Sequence, residues 1–277
     1  MYASDITGLT ATANGYTWTY TLFDGNTAGL VSCTPEPEGR LIIPSGLDIE
    51  VLKNGVLITH VPVSSIEKGC FENCDRITSV EFPNTANFYH VRANAFSGCT
   101  NLSEIKMNSG LASIGKEAFK NCTSLTEVVI PEDIGSIGDS SFSGCSGLLK
   151  ISLPCAALTS FYYGNEMCVH VGSIFGSAEY EGGIVLKQRS KSGSDSSFCF
   201  PENLSEITAT GTVIPSVAFR FRDTSDWLKK LTIGSNVKRI GLNIVGNCSR
   251  LSEIEVPSSV SYVSQEAFLA VVLDVQS

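Results

Sequence analysis

The side chains best suited to chemistry in this sequence are ten cysteines and three histidines. Thiols and imidazoles are the common ligands of structural zinc, and cysteines in a secreted chain often form a disulfide framework. Cys70 and Cys74 are a possible half of a zinc site, and Cys168 with His170 is a possible nucleophile with its base. Each signal is weak. A zinc site usually needs two ligands that are closer in the sequence than Cys70 and Cys74, with a second pair of ligands elsewhere in the chain. Two residues as close on one strand as Cys168 and His170 seldom bring a nucleophile into hydrogen-bond contact with its base.

Other catalytic patterns are missing from the sequence. The histidines His60, His90 and His170 form no H-E-x-x-H motif, and there is no G-x-S-x-G elbow and no glycine loop of the phosphate-binding kind. We therefore expect no metal, no cofactor and no enzyme activity.

The spacing of the cysteines has a different origin, because two residue types recur every 23 positions: Phe96, Phe119 and Phe142, and Cys99, Cys122 and Cys145. The full template is I-G-x-x-A-F-x-x-C-x-x-L-x-x-V-x-I-P, and its five close copies begin at Ile66, Val91, Ile114, Ile137 and Ile240. Weaker copies lie near Leu204, Ile214 and Val263. Self-similarity at such a period indicates a repeat architecture.

The repeat assigns most cysteines to the core. One repeat position holds Cys74, Cys99, Cys122, Cys145 and Cys248, and Cys70 replaces the small alanine. Because cysteine behaves as a small hydrophobic residue, we expect buried free thiols at these positions. Any disulfide would be formed among Cys33, Cys155, Cys168 and Cys199.

The template also predicts how each coil folds. The alternation in L-x-x-V-x-I predicts a short strand with one buried face, ended by proline. The I-G-x-x-A-F segment predicts a tight turn at glycine and a short helical or irregular return, with alanine and phenylalanine pointing inward. We expect each coil to contribute one strand to a single parallel sheet, because a lone coil cannot bury its own apolar edge.

Alternation along these strands separates an inner from an outer set of side chains. The inner set is Val80/Phe82, Ile105/Met107, Val128/Ile130, Ile151/Leu153, Leu231/Ile233 and Ile254/Val256. The outer set includes our candidate ligand-binding residues Glu81, Glu104, Lys106, Glu127, Val129, Lys150, Lys230, Glu253 and Glu255. Repeat proteins often bind partners with such a face. A solvated face that keeps the protein soluble would show the same pattern.

Two regions depart from the repeat. Residues 16–33 alternate aromatic and polar residues around Asp24-Gly25, which predicts a β-hairpin that caps the first coil. The segment after Pro154 is either a set of degenerate coils or a projecting insertion. Its aromatic residues Tyr162 and Tyr163 are further candidates for binding a sugar or a peptide, although filling a widened core is the simpler explanation for them.

The repeats resemble the BspA-type leucine-rich repeat family of bacterial surface proteins, above all in the stretches Phe96-Ser97-Gly98-Cys99 and Phe142-Ser143-Gly144-Cys145. The resemblance implies a leucine-rich repeat solenoid, an α/β-type right-handed coil stack with one parallel β-sheet and about 23 residues per repeat. It also implies export, display at the cell surface, and binding of extracellular proteins or glycans.

We therefore divide the chain into four parts. Residues 1–44 are the hairpin cap with the first strand, 45–154 are leucine-rich repeats, 155–203 are an irregular or degenerate insertion, and 204–277 are C-terminal repeats with a truncated end coil.

The composition and charge of the chain limit the classes of partner that it could bind. The chain has 277 residues, 28 acidic against 19 basic side chains and a formal charge of -9, so a nucleic-acid partner is not expected. No stretch approaches the ~20 apolar residues that span a bilayer. Residues Met1 to Asp5 lack a signal-peptide pattern, so we expect an export signal to be absent or already removed.

We therefore predict a non-enzymatic, extracellular or cell-surface recognition protein. The alternative is a structural spacer without a ligand. The ligand, the mode of surface attachment and the oligomeric state are left open by the sequence.

Overall fold

The computed structural model describes residues 5–23, 26–53, 56–163, 165–189 and 195–268. Within these ranges the chain consists of strands and turns, with two short 3₁₀ helices at Cys155–Ala157 and Val171–Ile174 and no α-helix. The expectation of an α/β-type coil is therefore wrong. The physical reason lies in the return segments, where Glu117 and Asn121 take positive φ values of 57° and 59°. Left-handed residues interrupt any helix, so each return is a chain of turns.

The N-terminal part contains six strands: β1 (Ile6–Ala13), β2 (Tyr16–Phe23), β3 (Thr27–Thr34), β4 (Gly39–Ile42), β5 (Gly46–Lys53) and β6 (Val56–Ile66). The first three form an antiparallel meander. The first half of β3 runs parallel to the end of β6, with Leu30 opposite Ile66. The turn at Asp24 and Gly25, which our hairpin prediction named, lies outside the described residues.

Seven strands follow: β7 (Ile77–Glu81), β8 (His90–Val91), β9 (Glu104–Lys106), β10 (Ser113–Ile114), β11 (Glu127–Val129), β12 (Ser136–Ile137) and β13 (Lys150–Pro154). Successive strands belong alternately to two sets of parallel strands, β7, β9, β11 and β13 in one set and β8, β10 and β12 in the other. Ile114 lies opposite Val91 on one side and Ile137 on the other, and Val128 lies opposite Ile151. Each of these coils therefore contributes two strands, and the prediction of one strand per coil in one parallel sheet is wrong. The second strand has only two residues, too few for a visible alternation.

The insertion contains two antiparallel hairpins, made of β14 (Ser160–Tyr163) with β15 (Glu166–Val169), and β16 (Gly183–Arg189) with β17 (Asp195–Pro201). The strand after β13 in its sheet begins at Glu206, which lies opposite Lys150, 56 positions earlier. One turn in between still follows the stack, because the Phe142 N–H donates to the Ile174 carbonyl at 2.8 Å. The segment is thus a single widened coil that carries two hairpins.

The C-terminal part contains β18 (Glu206–Thr210), β19 (Val213–Ile214), β20 (Phe219–Ser225), β21 (Lys230–Ile233), β22 (Arg239–Ile240), β23 (Val245–Cys248), β24 (Glu253–Glu255) and β25 (Tyr262–Val263). Parallel pairing gives the orders β4-β7-β9, β11-β13-β18-β21-β24 and β19-β22-β25. A mixed sheet runs β1-β2-β3-β6-β8-β10-β12, and a four-stranded sheet runs β17-β16-β20-β23.

The core between the strands is a ladder of phenylalanines. Phe96 and Phe119 stack with ring centroids 5.4 Å apart and an interplanar angle of 5°, and Phe119 stacks on Phe142 in the same way. The predicted inward strand positions are buried in β7, β11, β13 and β21. Val256 is an exception at 47% exposure, because β24 is the last strand of its sheet in the described part and no further coil covers this side chain.

Two kinds of glycine hold the turns. Gly98 has a φ of +79°, a conformation that costs glycine little. Gly115 is different. Its φ is not positive, but a Cβ atom there would lie 2.5 Å from the backbone nitrogen of Ala93 in the preceding coil. This glycine is therefore required by the close approach of two coils.

Gly115→Ala should lower the free energy of unfolding by about 1–3 kcal/mol, because neighbouring backbone must move to admit the new methyl group. Gly135→Ala is the matched control, since its Cβ would meet only the Ala112 carbonyl oxygen at 3.3 Å. We expect a change below about 1 kcal/mol for the control. Guanidinium unfolding curves measure both, and equal losses in the two variants would contradict the close approach of the coils.

Candidate functional site

Most of the predicted ligand-binding residues lie on the outer faces of two neighbouring parallel sheets. Glu81, Glu104 and Lys106 belong to the sheet β4-β7-β9, and the others on strands belong to β11-β13-β18-β21-β24. The turns before β9 and β11 are joined, because the Ser124 N–H donates to the Thr100 carbonyl at 3.2 Å. Glu253 lies on β24, but its side chain is outside the described residues. We name the outward side chains of these eight strands the outer face.

The charges on the outer face pair with one another. Lys150 Nζ lies 2.9 Å from Glu206 Oε2, and the hydrogen bond from Lys150 together with this charge raises the pKa of the lysine. Lys106 pairs with Glu104 at 3.7 Å. Cross-strand pairs of opposite charge stabilise a sheet by modest amounts. At the sheet edge, Arg40 forms an ion pair with Glu81, and this hydrogen bond lowers the pKa of the Glu81 carboxyl.

The pairing makes one row of alternating sign across the larger sheet. In register, this row contains Glu127, Lys150, Glu206, Lys230 and Glu253. Lys230 also approaches Glu255 at 4.0 Å, which extends the charges to the second outward position of β24. We name these residues the charged row.

Beside the charged row, the second outward position of four successive strands is uncharged. These side chains are in register and comprise Val129, Ser152, Thr208 and Thr232. Val129 is 56% exposed, which is unusual for a valine on a strand of the sheet. We name this set the uncharged row. Lys106 and Glu255 occupy the equivalent positions on the strands beyond its two ends.

Sequence reasoning missed several members of the outer face, among them Arg40, Glu206 and Thr208. The signal for the last two was present, because Leu204, Ile207 and Ala209 fit the strand part of the template. The outward residues between them follow directly from the alternation. Arg40 precedes the apolar pair Leu41-Ile42 but belongs to no full repeat copy, so its place beside Glu81 required the structure.

The aromatic candidates of the insertion lie elsewhere. Tyr162 is on β14, in a two-stranded sheet separate from the outer face, and is 71% exposed. The side chain of Tyr163 lies outside the described residues. The structure therefore does not bring the insertion tyrosines together with the charged residues of the outer face.

Four of the repeat cysteines, Cys99, Cys122, Cys145 and Cys248, are buried thiols as the template predicted, whereas Cys70 and Cys74 are only half-buried. Cys99 Sγ donates to the Phe71 carbonyl at 3.1 Å, and Cys122 and Cys145 donate to the carbonyls of Phe96 and Phe119 at 3.3 and 3.1 Å. Each thiol thus binds the backbone of the preceding coil. Burial raises the pKa of Cys99 and of Cys145 to about 12. All ten cysteines are free, including the four that were candidates for a disulfide.

The other candidates for chemistry are equally enclosed. Cys168 is 0% exposed and His170 is 6% exposed, so neither presents a reactive group to solvent. Among the described residues there is no group of three or more histidine, cysteine or acidic side chains that could hold a metal ion. The same ranges contain no helix with the length and apolar character needed to cross a membrane.

Comparison with known families identifies the repeats. The sequence matches the model of the BspA type leucine rich repeat region in six copies, over residues 61–168 and 175–274. Because this match covers well over half of the chain, the chain belongs to the BspA-type leucine-rich repeat family. Leucine-rich repeat domains are in general non-catalytic scaffolds for protein interaction.

One solved structure supports the fold, and a second belongs to a similar protein. A leucine rich repeat protein from T. pallidum is 19% identical, with a TM-score of 0.50 and an alignment that covers 91% of this chain and 86% of that chain. A leucine rich cell surface protein from Faecalibacterium prausnitzii A2-165 is also 19% identical, over 95% of this chain and 86% of that chain, with a TM-score of 0.39. At such identities the likeness to the first protein concerns the fold alone. No curated protein matches the sequence.

The stacked, buried thiols of Cys99, Cys122 and Cys145, which we name the thiol ladder, predict a pattern of reactivity. In the folded protein at pH 8, Cys99, Cys122 and Cys145 should react with a maleimide far more slowly than Cys74, which occupies the same repeat position but is only half-buried. The reason is that the thiolate is the nucleophile and needs both ionisation and access. Peptide mass spectrometry after timed labelling measures each site, with guanidinium-unfolded protein as the control. Equal rates at Cys74 and Cys122 in folded protein would contradict the enclosed ladder.

Proposed function

We propose that this chain is a non-enzymatic recognition protein of the bacterial surface or its surroundings, and that its outer face binds an extracellular protein in adhesion. The family supports this proposal, because BspA-type leucine-rich repeat proteins are typically bacterial surface proteins. The observation that carries it is the uncharged row. Its four side chains lie side by side in register, with charged residues along one flank and beyond both ends.

The arrangement matches the usual anatomy of a protein interface. Interface centres are depleted in charge, whereas their rims are polar and accessible. Val129 supplies exposed apolar surface at one end of the uncharged row, and Ser152, Thr208 and Thr232 supply small groups that a partner can approach closely. The charged row would then form one rim and select partners by complementary charge.

Rigidity also favours binding here. The four side chains of the uncharged row are on strands whose inward neighbours, such as Val128 and Ile151, are buried in the core. A surface that is ordered before binding loses less conformational entropy when a partner binds. A stack of coils with about 23 residues each, closed at its N-terminal end by the meander β1-β2-β3, supplies such a frame. Trp18 supports the capping role, because it is fully buried and packs edge-on against Phe71 at 6.1 Å.

The first test is a binding screen of the purified protein against extracellular-matrix proteins, with Val129→Glu beside the wild type. A partner that covers the uncharged row should bind this variant at least about tenfold more weakly, because the new carboxylate would have to be desolvated in the interface. Val185→Glu is the matched control, since Val185 is also an exposed strand valine, at 45%, but lies on β16 of the insertion. Equal affinity of the two variants would contradict the assignment of the outer face.

A spacer without a ligand is the competing function, and the mutual pairing of the surface charges favours it. The double variant Lys150→Glu/Glu206→Lys separates the two functions, because it reverses the charge pattern while keeping an ion pair at this place. We expect it to melt close to the wild type and above the single variant Lys150→Glu. Its association with a matrix partner should be slower, because rim charges act mainly on the association rate. Silence of folded wild-type protein across the whole screen would support the spacer instead.

A further inference from the structure

A concave site, separate from the outer face, lies at the place where the insertion meets the turns of the regular coils. It is a cavity of about 440 Å³, within the range of small-molecule sites. On one side it is lined by Lys116 and Asp139, and on the other by Phe161, His170 and Phe198 of the insertion. Neither the repeats nor the outer face accounts for this cavity, which exists only because one coil is widened.

The wall on the insertion side is aromatic. The His170 ring lies between two phenylalanines, with its centroid 4.8 Å from that of Phe161 and 5.7 Å from that of Phe198. His170 is buried, whereas Phe161 and Phe198 are half-buried, so part of each phenyl ring is accessible from the cavity. Tyr162, the next residue on β14, is not part of the lining and points to solvent. Alternation along the strand therefore separates an inner from an outer aromatic side chain.

The opposite side is polar. Lys116 and Asp139 occupy the same repeat position in successive coils, 23 residues apart, so an ammonium group and a carboxylate are presented side by side. Asp139 Oδ1 already accepts a hydrogen bond from Thr159 Oγ1 at 2.7 Å, which fixes the carboxylate in place. Ser173 Oγ, on the cavity wall, is buried and has no hydrogen-bond partner within the described structure.

We propose that this cavity binds one sugar ring of a glycan. A sugar ring has a C–H face that packs on aromatic rings, and hydroxyl groups that both donate and accept hydrogen bonds. Phe161 and Phe198 would contact the C–H face, while Asp139 accepts and Lys116 donates at the rim. A flat aromatic ligand would leave the polar side unpaired, and a ligand without hydroxyl or N–H donors would offer nothing to the Asp139 carboxylate. The site goes beyond the outer face and does not require that surface to bind anything.

The test is saturation-transfer NMR of the full chain with a panel of methyl glycosides: glucose, galactose, mannose, fucose, N-acetylglucosamine and N-acetylgalactosamine. We expect transfer to at least one sugar. Phe161→Ala should raise the dissociation constant of that sugar at least about tenfold, because the contact between the C–H face of the sugar and the phenyl ring is lost. Tyr162→Ala is the matched control, because it removes an aromatic side chain from the same strand on the solvent side, and it should leave the constant unchanged.

A second variant keeps the test valid if Phe161→Ala does not fold. Asp139→Asn retains an oxygen that can accept from Thr159 but removes the charge, and it lies on an exposed turn. It should weaken the same sugar at least about tenfold, with circular dichroism unchanged. No transfer to any sugar of the panel would overturn the proposal, as would binding that Asp139→Asn leaves intact or that Tyr162→Ala abolishes. Because Val129 is distant from this lining, Val129→Glu should not affect sugar binding, so failure of this site and failure of the outer face are distinguishable.

Discussion

The structure depends on the direct hydrogen bonding of each turn to the next coil. The Phe96 N–H donates to the Ala118 carbonyl at 2.7 Å, and the Phe119 N–H donates to the Ser141 carbonyl at 2.8 Å. Bonds of this length hold successive coils at the separation of neighbouring strands. At that separation every side chain must pack on its own counterpart, which explains the phenylalanine stack and the bond from each repeat thiol to the preceding coil. It also explains why Gly115 has no room for a Cβ atom.

The same constraint shapes the surface. Because the strands are in register, the outward residues of successive coils become neighbours, and the sequence at two positions per repeat determines the chemistry of a whole face. Here one position alternates in charge across the larger sheet and the other is uncharged from Val129 to Thr232. A widened coil breaks this regularity once, after β13, and creates an aromatic and polar cavity that the repeats alone do not form. The family membership makes recognition the expected role of such a frame.

Much of the repeat structure could be predicted from the sequence, because the same inward-pointing positions recur in several copies of the repeat. The family is confirmed, and so is the burial of the thiols at Cys99, Cys122, Cys145 and Cys248. The second strand of each coil could not be predicted, since two residues such as Ser113-Ile114 show no alternation. The sequence left open whether the return is helical or irregular, because Glu117 is not a residue type that signals a left-handed turn. The cavity and the Lys150–Glu206 ion pair depend on how the insertion returns to the stack, and no periodic pattern in the insertion reveals that path.

Native-state hydrogen exchange tests the coil-to-coil hydrogen bonds most directly. The amides of Phe96, Phe119 and Phe142 donate to the next coil and lie in the fully buried part of the core. They should exchange only through global unfolding, with a common opening free energy equal to that measured with denaturant. Amides of the end coil, such as Tyr262, should exchange at a lower opening free energy, because its residues are exposed at the end of the described stack. Fast or unequal exchange at the three phenylalanines would contradict a structure held together by its neighbouring coils.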